Sequence, residues 1–258
     1  MREATLRGLA LMIFIGAWAQ SSAAAILIEP SSLKLEFPNG TKQVKQFVIT
    51  NNSDAEMVLH VEPEFWSRGE CREEAKSWVV PSPENLTIPA HQKQVLQLSI
   101  ATPSDLNGEC MVMVYLAQKP VGQNIAIQAR IGFPVYLLCR DTGITRGEIL
   151  SFEQRASDLS GLSFDADVKN TGNIHVLPFG SLILQDKTNG KIYHQSIQFE
   201  QPIFPGQSRQ VDVLFASGSV PAGRYQAKLE LLLDDLYARD GHGLPALSRE
   251  LDVTVGKP

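Results

Sequence analysis

The sequence predicts an all-β fold: two tandem immunoglobulin-like β-sandwich domains behind a cleaved signal peptide. Three observations carry this. Short runs with alternating apolar side chains or β-branched enrichment recur along the chain, Gly, Pro, Asn and Asp punctuate them, and the spacing starts afresh near the middle. Helical periodicity is nearly absent.

The opening stretch MREATLRGLALMIFIGAWAQSSAAA carries Arg2 and Arg7, then an apolar run from Leu9 to Ala19, then small residues ending in Ala23-Ala24-Ala25. That is the order of charge, core and cleavage site in a secretory signal peptide. The apolar run is about 11 residues where a spanning helix needs about 20, so the segment is expected to be removed and not to anchor the chain. Residues 1–25 are therefore assigned to the leader, and the mature chain is expected to begin at Ile26 and to contain no membrane span.

From Ile26 the candidate strands are ILIEP, LKLEF (33–37), KQFVITNN (45–52), EMVLHVEPEFW (56–66), WVV (78–80), NLTIP (85–89), KQVLQLSIA (93–101), ECMVMVYLAQ (109–118) and a long run ending at Leu138. Asn39-Gly40, Ser53-Asp54 and Asn107-Gly108 supply turns between them. About seven strands in about 113 residues match an immunoglobulin-like sandwich, so residues 26–138 form the expected first domain. CRDTG breaks the pattern, giving a linker over 139–144. The second domain, 145–258, resumes it with EILSFEQ, GLSFDADVKNTG, GSLILQD, KIYHQSIQF, RQVDVLFA, GRYQAKLELLLDD and LSRELDVTV, and Asn189-Gly190 makes a hairpin turn. VITNNSD (48–54) and VKNTGN (168–173) each end an alternating strand in an Asn-rich turn, which shared turn chemistry or common descent explains equally well.

The net charge of −5, with no basic cluster, argues against a nucleic-acid partner. His60, His91, His175, His194 and His242 are scattered singly, without the spacing or acidic neighbours of a metal site, and each is expected at the surface or in a turn. No nucleophile elbow, phosphate loop or dinucleotide fingerprint occurs, so neither catalysis nor a cofactor is expected. Asp234, Asp235 and Asp240 beside Gly241 and Gly243 follow no calcium-loop register, and the expectation there is a solvated turn. An exported chain permits a disulfide. Of Cys71, Cys110 and Cys139, the expected pair is Cys71 with Cys110, one in a loop and one at the start of a strand of the same domain; three free thiols are the alternative.

The most informative stretch runs from Gln123 to Leu138. Ile125, Ile127, Ala129, Ile131, Phe133, Val135 and Leu137 share one face, and Asn124, Ala126, Gln128 and Arg130 sit on the other. A strand of this length is about twice the usual one. It either projects beyond its own sandwich as an edge offering apolar plugs, or lies over its own core and runs into the second domain. Pro134 interrupts it, which suits an edge or a bend.

These features together resemble the periplasmic pilus (fimbrial) chaperones: the leader, two immunoglobulin-like domains, the opening segment ILIEPSSLKLEFPNG, the strand KQFVITNNSD and the long strand NIAIQARIGF. The resemblance covers most of the first domain and the general organisation of the second. It implies a non-enzymatic periplasmic protein that donates its long strand to an exported pilus or fibre subunit, with an outer-membrane usher as a further partner. Ile125 and Ile127, with Ala129 as a weaker third, would be the donors. Family members also hold the subunit's terminal carboxylate with an arginine on the opening strand and a lysine on the long strand. Matching FPNG to the family's motif places the first position at Lys34, and by the resemblance of the long strand the second falls on Gly132, so a lysine stands for the arginine and a glycine for the lysine. Arg130, two residues away on the same face, is the candidate substitute. The departure leaves a second reading open, a structural or adhesive envelope protein that uses the tandem sandwiches as a binding module.

Overall fold

The computed structural model describes residues 25–38, 40–66, 73–102, 104–118, 129–139, 141–155, 161–216, 218–235, 237 and 243–256. The leader up to residue 24, Cys71, Ile125 and Ile127 lie outside the described residues.

The first sandwich is built from β1 (Ile26–Glu29), β2 (Leu33–Phe37), β3 (Lys42–Asn51), β4 (Met57–Phe65), β5 (Val79–Ser82), β6 (Asn85–Ile88), β7 (Lys93–Ala101), β8 (Glu109–Gln118) and β9 (Arg130–Cys139). Two sheets, ordered β1-β3-β7-β5 and β2-β9-β8-β4-β6, face each other. Phe47, Ile49, Leu59, Leu96, Leu98, Val112, Val114, Phe133 and Val135 fill the space between them, each at an alternate position of its strand. The opening segment changes sheets at Pro30-Ser31-Ser32: β1 pairs antiparallel with β3, whereas β2 pairs parallel with β9. A short 3-10 helix over Glu73–Trp78 escaped the sequence reading, because its 6 residues are too few to show periodicity.

The second sandwich comprises β10 (Gly147–Gln154), β11 (Gly161–Asn170), β12 (Leu177–Asp186), β13 (Ile192–Gln198), β14 (Ser208–Ala216), β15 (Gly223–Asp234) and β16 (Ala246–Val255). Its sheets are ordered β10-β11-β14 and β13-β12-β15-β16 and enclose Phe164, Val168, Leu182, Leu184, Tyr225, Leu229 and Leu231. Tyr225 turns its hydroxyl out of this core to donate to the Pro221 carbonyl at 2.7 Å.

The two Asn-rich turns are built alike. Asn51 ends β3 and donates through Nδ2 to the carbonyls of Ala55 (2.7 Å), Ile88 (3.0 Å) and Pro89 (3.1 Å), while its Oδ1 accepts from the Ser53 N–H at 2.9 Å. Asn170 ends β11 and donates to Ile174 (2.7 Å) and Ile203 (2.8 Å), accepting from the Gly172 N–H at 2.9 Å. Both side chains are fully buried. Each therefore closes its own turn at the second and fourth residues on and ties that turn to a distant segment, satisfying carbonyls that a sheet ladder leaves open.

Candidate functional site

β9 pairs with β8 along its whole described length, from Arg130 opposite Ala117 to Leu138 opposite Glu109. On its other side β2 covers only Val135 to Cys139. Among the described residues, the edge from Arg130 to Pro134 has no strand beside it. The ladder phase follows from two bonds: the Gln118 N–H donates to Ala129 O at 2.9 Å, and the Cys139 N–H donates to Gly108 O at 2.9 Å. Odd-numbered residues of β9 thus bond to β8, and Arg130, Gly132 and Pro134 turn their backbone groups to the open side. Pro134 lacks an N–H where no ladder bond is missed, which explains how a proline sits within this strand.

The inward face of β9 changes character at the same place. Phe133, Val135 and Leu137 are buried in the first core, but Ile131 on the same face is 39% exposed and Ala129 is exposed. The apolar face thus continues past the end of its own core.

Lys34 is exposed and stands in register with Tyr136 of β9. Gly132 lies four residues back along β9, about 13 Å away at the rise of a strand, and Arg130 six residues back, about 20 Å. The three positions share one sheet face, but a single carboxylate does not bridge them. Gly132 faces Tyr115 across the ladder, and a Cβ there would lie 2.8 Å from two carbons of the Tyr115 ring. The guanidinium of Arg130 stacks 4.0 Å above the same ring and donates from Nη1 to Glu64 Oε1 at 2.7 Å.

Where the two sandwiches meet, Glu109 at the start of β8 collects donors from the second sandwich. The His175 N–H donates to Oε2 at 2.8 Å, His175 Nδ1 lies 2.6 Å from the same oxygen, and the Tyr237 hydroxyl donates to Oε1 at 2.7 Å. Tyr136 stacks on the imidazole with ring centroids 4.6 Å apart. Burial, reinforced by the Glu109 charge, pushes the Tyr136 phenol up, and the same two causes hold the Tyr237 phenol far above its ordinary range, so both stay protonated. Asn173 completes the joint: its carbonyl accepts from the Glu109 N–H at 3.0 Å and its amide from the Ile144 N–H at 2.6 Å. Gly108 (φ +73°) passes so close to Asn173 that a Cβ would lie 2.5 Å from its side chain. Trp66, just past the end of β4, meets Phe204 of the second sandwich edge-on with ring centroids 6.2 Å apart.

Two expectations are corrected here. His60, His91 and His194 are exposed as expected and His242 lies outside the described residues, but His175 is fully buried. Its isolation in sequence is misleading because its acidic partner comes from the other sandwich. Asp235 is not part of a solvated turn: it is buried, accepting from the Thr145 hydroxyl at 2.6 Å and the Tyr237 N–H at 3.1 Å. Residues 238–242, including Asp240, lie outside the described residues. Among the described residues no group of three His, Cys, Asp or Glu side chains is placed to hold a metal ion, and no helix is long and apolar enough to cross a membrane.

No protein-family description matches the chain, and neither does any curated protein. The solved structures similar to this chain include several pilus chaperones. The class 5 fimbriae chaperone CfaA is 12% identical with a TM-score of 0.45, covering 90% of this chain and 100% of that one. The CupB2 chaperone of Pseudomonas aeruginosa is 11% identical with a TM-score of 0.41, covering 87% of this chain and 100% of that one. A match from the CsuC–CsuE chaperone–tip adhesion subunit pre-assembly complex of Acinetobacter baumannii is 14% identical with a TM-score of 0.43, covering 87% of this chain and 98% of the matched one.

Sequence reasoning placed Gly132 and Arg130 on one strand face and named Lys34 as the other anchor position, but did not single out Tyr115, Glu64, Glu109 or Tyr237. Only the alternation of Tyr115 and Glu109 on the outward face of β8 hinted at the first and third. Glu64 and Tyr237 gave no signal, since each meets its partner from a distant segment.

Proposed function

We propose that this protein is a periplasmic chaperone-like factor that adds the edge of its long strand to an exported pilus or fibre subunit. The observation that carries the reading is that, among the described residues, no strand lies beside the Arg130–Pro134 edge, while the apolar face above it leaves its own core at Ile131. The reading extends the donor face to Ile125 and Ile127, with Ala129 next to the open edge. It is non-catalytic and needs no nucleotide or metal, with an outer-membrane usher as the expected second partner and residues 1–25 as the export signal.

A strand added to the open edge must stop or turn away opposite Pro134, because β2 begins opposite Val135. If it runs parallel to β9, as β2 does, its carboxyl end arrives beside the start of β2, one residue from Lys34. Lys34 is accordingly the proposed carboxylate anchor. The proposal includes a disulfide between Cys71 and Cys110, supported by Cys139 being a free, buried thiol. Tryptic mapping without reductant checks it, and a peptide carrying free Cys110 would exclude it.

The test is co-expression with a candidate subunit lacking its last strand. Wild type keeps the subunit soluble and co-purifies with it, and the double substitution of Ile125 and Ile127 by Asp abolishes both effects. The second reading, a structural or adhesive envelope module, is favoured by Gly132 standing where the family has lysine, and it requires indifference to that double substitution.

A further inference from the structure

Glycine at position 132 has a local consequence: it allows the Tyr115 ring to lie across β9, since even a Cβ there would meet the ring at 2.8 Å and Met113 at 3.0 Å. The ring supports the guanidinium of Arg130 from below at 4.0 Å, and Glu64 holds Nη1 from the side at 2.7 Å. Ring and carboxylate together restrict a side chain that is otherwise long and mobile. No other hydrogen bond to Arg130 occurs among the described residues, so its Nε–Nη2 edge is unengaged. That edge is the forked geometry which takes a carboxylate through two parallel bonds.

Arg130 also stands at the far end of the described part of the open edge. The end opposite Pro134 is blocked by β2, so the register of an added parallel strand is bounded. If its last residue lies opposite Pro134, the residue opposite Arg130 is four before the last, and an even spacing puts both on one face. We propose that the Arg130–Tyr115–Glu64 cluster reads an acidic side chain, Asp or Glu, four residues before the carboxyl end of the partner strand. This rests on the strand-addition reading and adds a specificity determinant to it. Arg130 is the contacting residue, and Tyr115, Gly132 and Glu64 are positioning residues.

The test uses three short synthetic peptides of alternating Val and Thr with a free carboxyl end: one with Glu four residues before the last, one with Gln there, and one with Glu moved two residues further back. Affinities are measured for the full mature chain. The first peptide is expected to bind about tenfold more tightly than the other two, the scale of a charge-assisted bond. The preference disappears in Arg130→Gln, is halved or worse in Arg130→Lys, Tyr115→Leu and Gly132→Val, and persists in Tyr115→Phe. Melting temperatures of all variants are compared with wild type, and Arg130→Lys, an exposed change, carries the test if Tyr115→Leu or Gly132→Val does not fold. Equal binding of the three peptides, or a preference that survives Arg130→Gln, overturns this inference and leaves strand addition standing. Failure of wild type to bind any of them overturns both.

Discussion

Glu109 and His175 meet at 2.6 Å across the joint between the two sandwiches, and both are buried. The carboxylate also takes the His175 backbone N–H and the Tyr237 hydroxyl, so one side chain of the first sandwich satisfies three donors of the second. Removing it leaves those donors buried without a partner, which is costlier than the net worth of the bonds themselves. Glu109→Ala is expected to lower stability by about 3 kcal/mol in urea unfolding. A loss below about 0.5 kcal/mol would mean that the joint is solvated in solution.

The raised phenol of Tyr237 gives the joint an alkaline weakness. A group that holds its proton more tightly when folded contributes its full stability below its unfolded value, near pH 10, and loses it as pH rises beyond that. Unfolding free energy measured from pH 8 to 11 should be level at first and fall above about pH 10. Tyr237→Phe should cost about 1 kcal/mol at neutral pH, by leaving Glu109 Oε1 short of a donor, and should flatten the alkaline fall. Tyr136 and Tyr225 are also raised by burial and contribute to what remains.

Asn51 and Asn170 hold equivalent turns in the two sandwiches, each through a buried amide. Alanine at either position strands carbonyls and an N–H, at a cost of about 2–3 kcal/mol per site. Aspartate should be no better, since it cannot donate to the carbonyls. Thermal melts of the four single variants check this, and a neutral Asn170→Asp would refute the account.

Ile131 offers a surface test of the donor face. At 39% exposure, Ile131→Asp should change the melting temperature little. Capture of a fibre subunit should nevertheless weaken about tenfold or more, because the carboxylate would enter an apolar groove. Unchanged capture would place the donor face elsewhere.

Most of the fold was legible because sheet structure imposes a period of two on local sequence. LKLEF, KQVLQLSIA and ECMVMVYLAQ became β2, β7 and β8 with the bounds read from the pattern. Glycines of three predicted turns, Gly40, Gly108 and Gly190, take positive φ of 72°, 73° and 75°. The site was less legible. The alternation that put Arg130 and Gly132 on one face said nothing of Tyr115, which stands opposite Gly132 from 17 positions earlier in the chain. His175 read as a surface residue because its environment is made by Glu109, Tyr136 and Tyr237 from three other segments.

The sequence by itself therefore determined the strands, their inward faces, the turns and the unusual apolar run that ends in β9, since each depends on neighbours within a few residues. Tertiary structure alone decided that β2 stops short of Arg130–Pro134, that Tyr115 lies over Gly132 and lifts Arg130, and that His175 is buried against Glu109. Those outcomes depend on which distant strands share an edge or a face, and pairing across a sheet leaves no period in the local sequence.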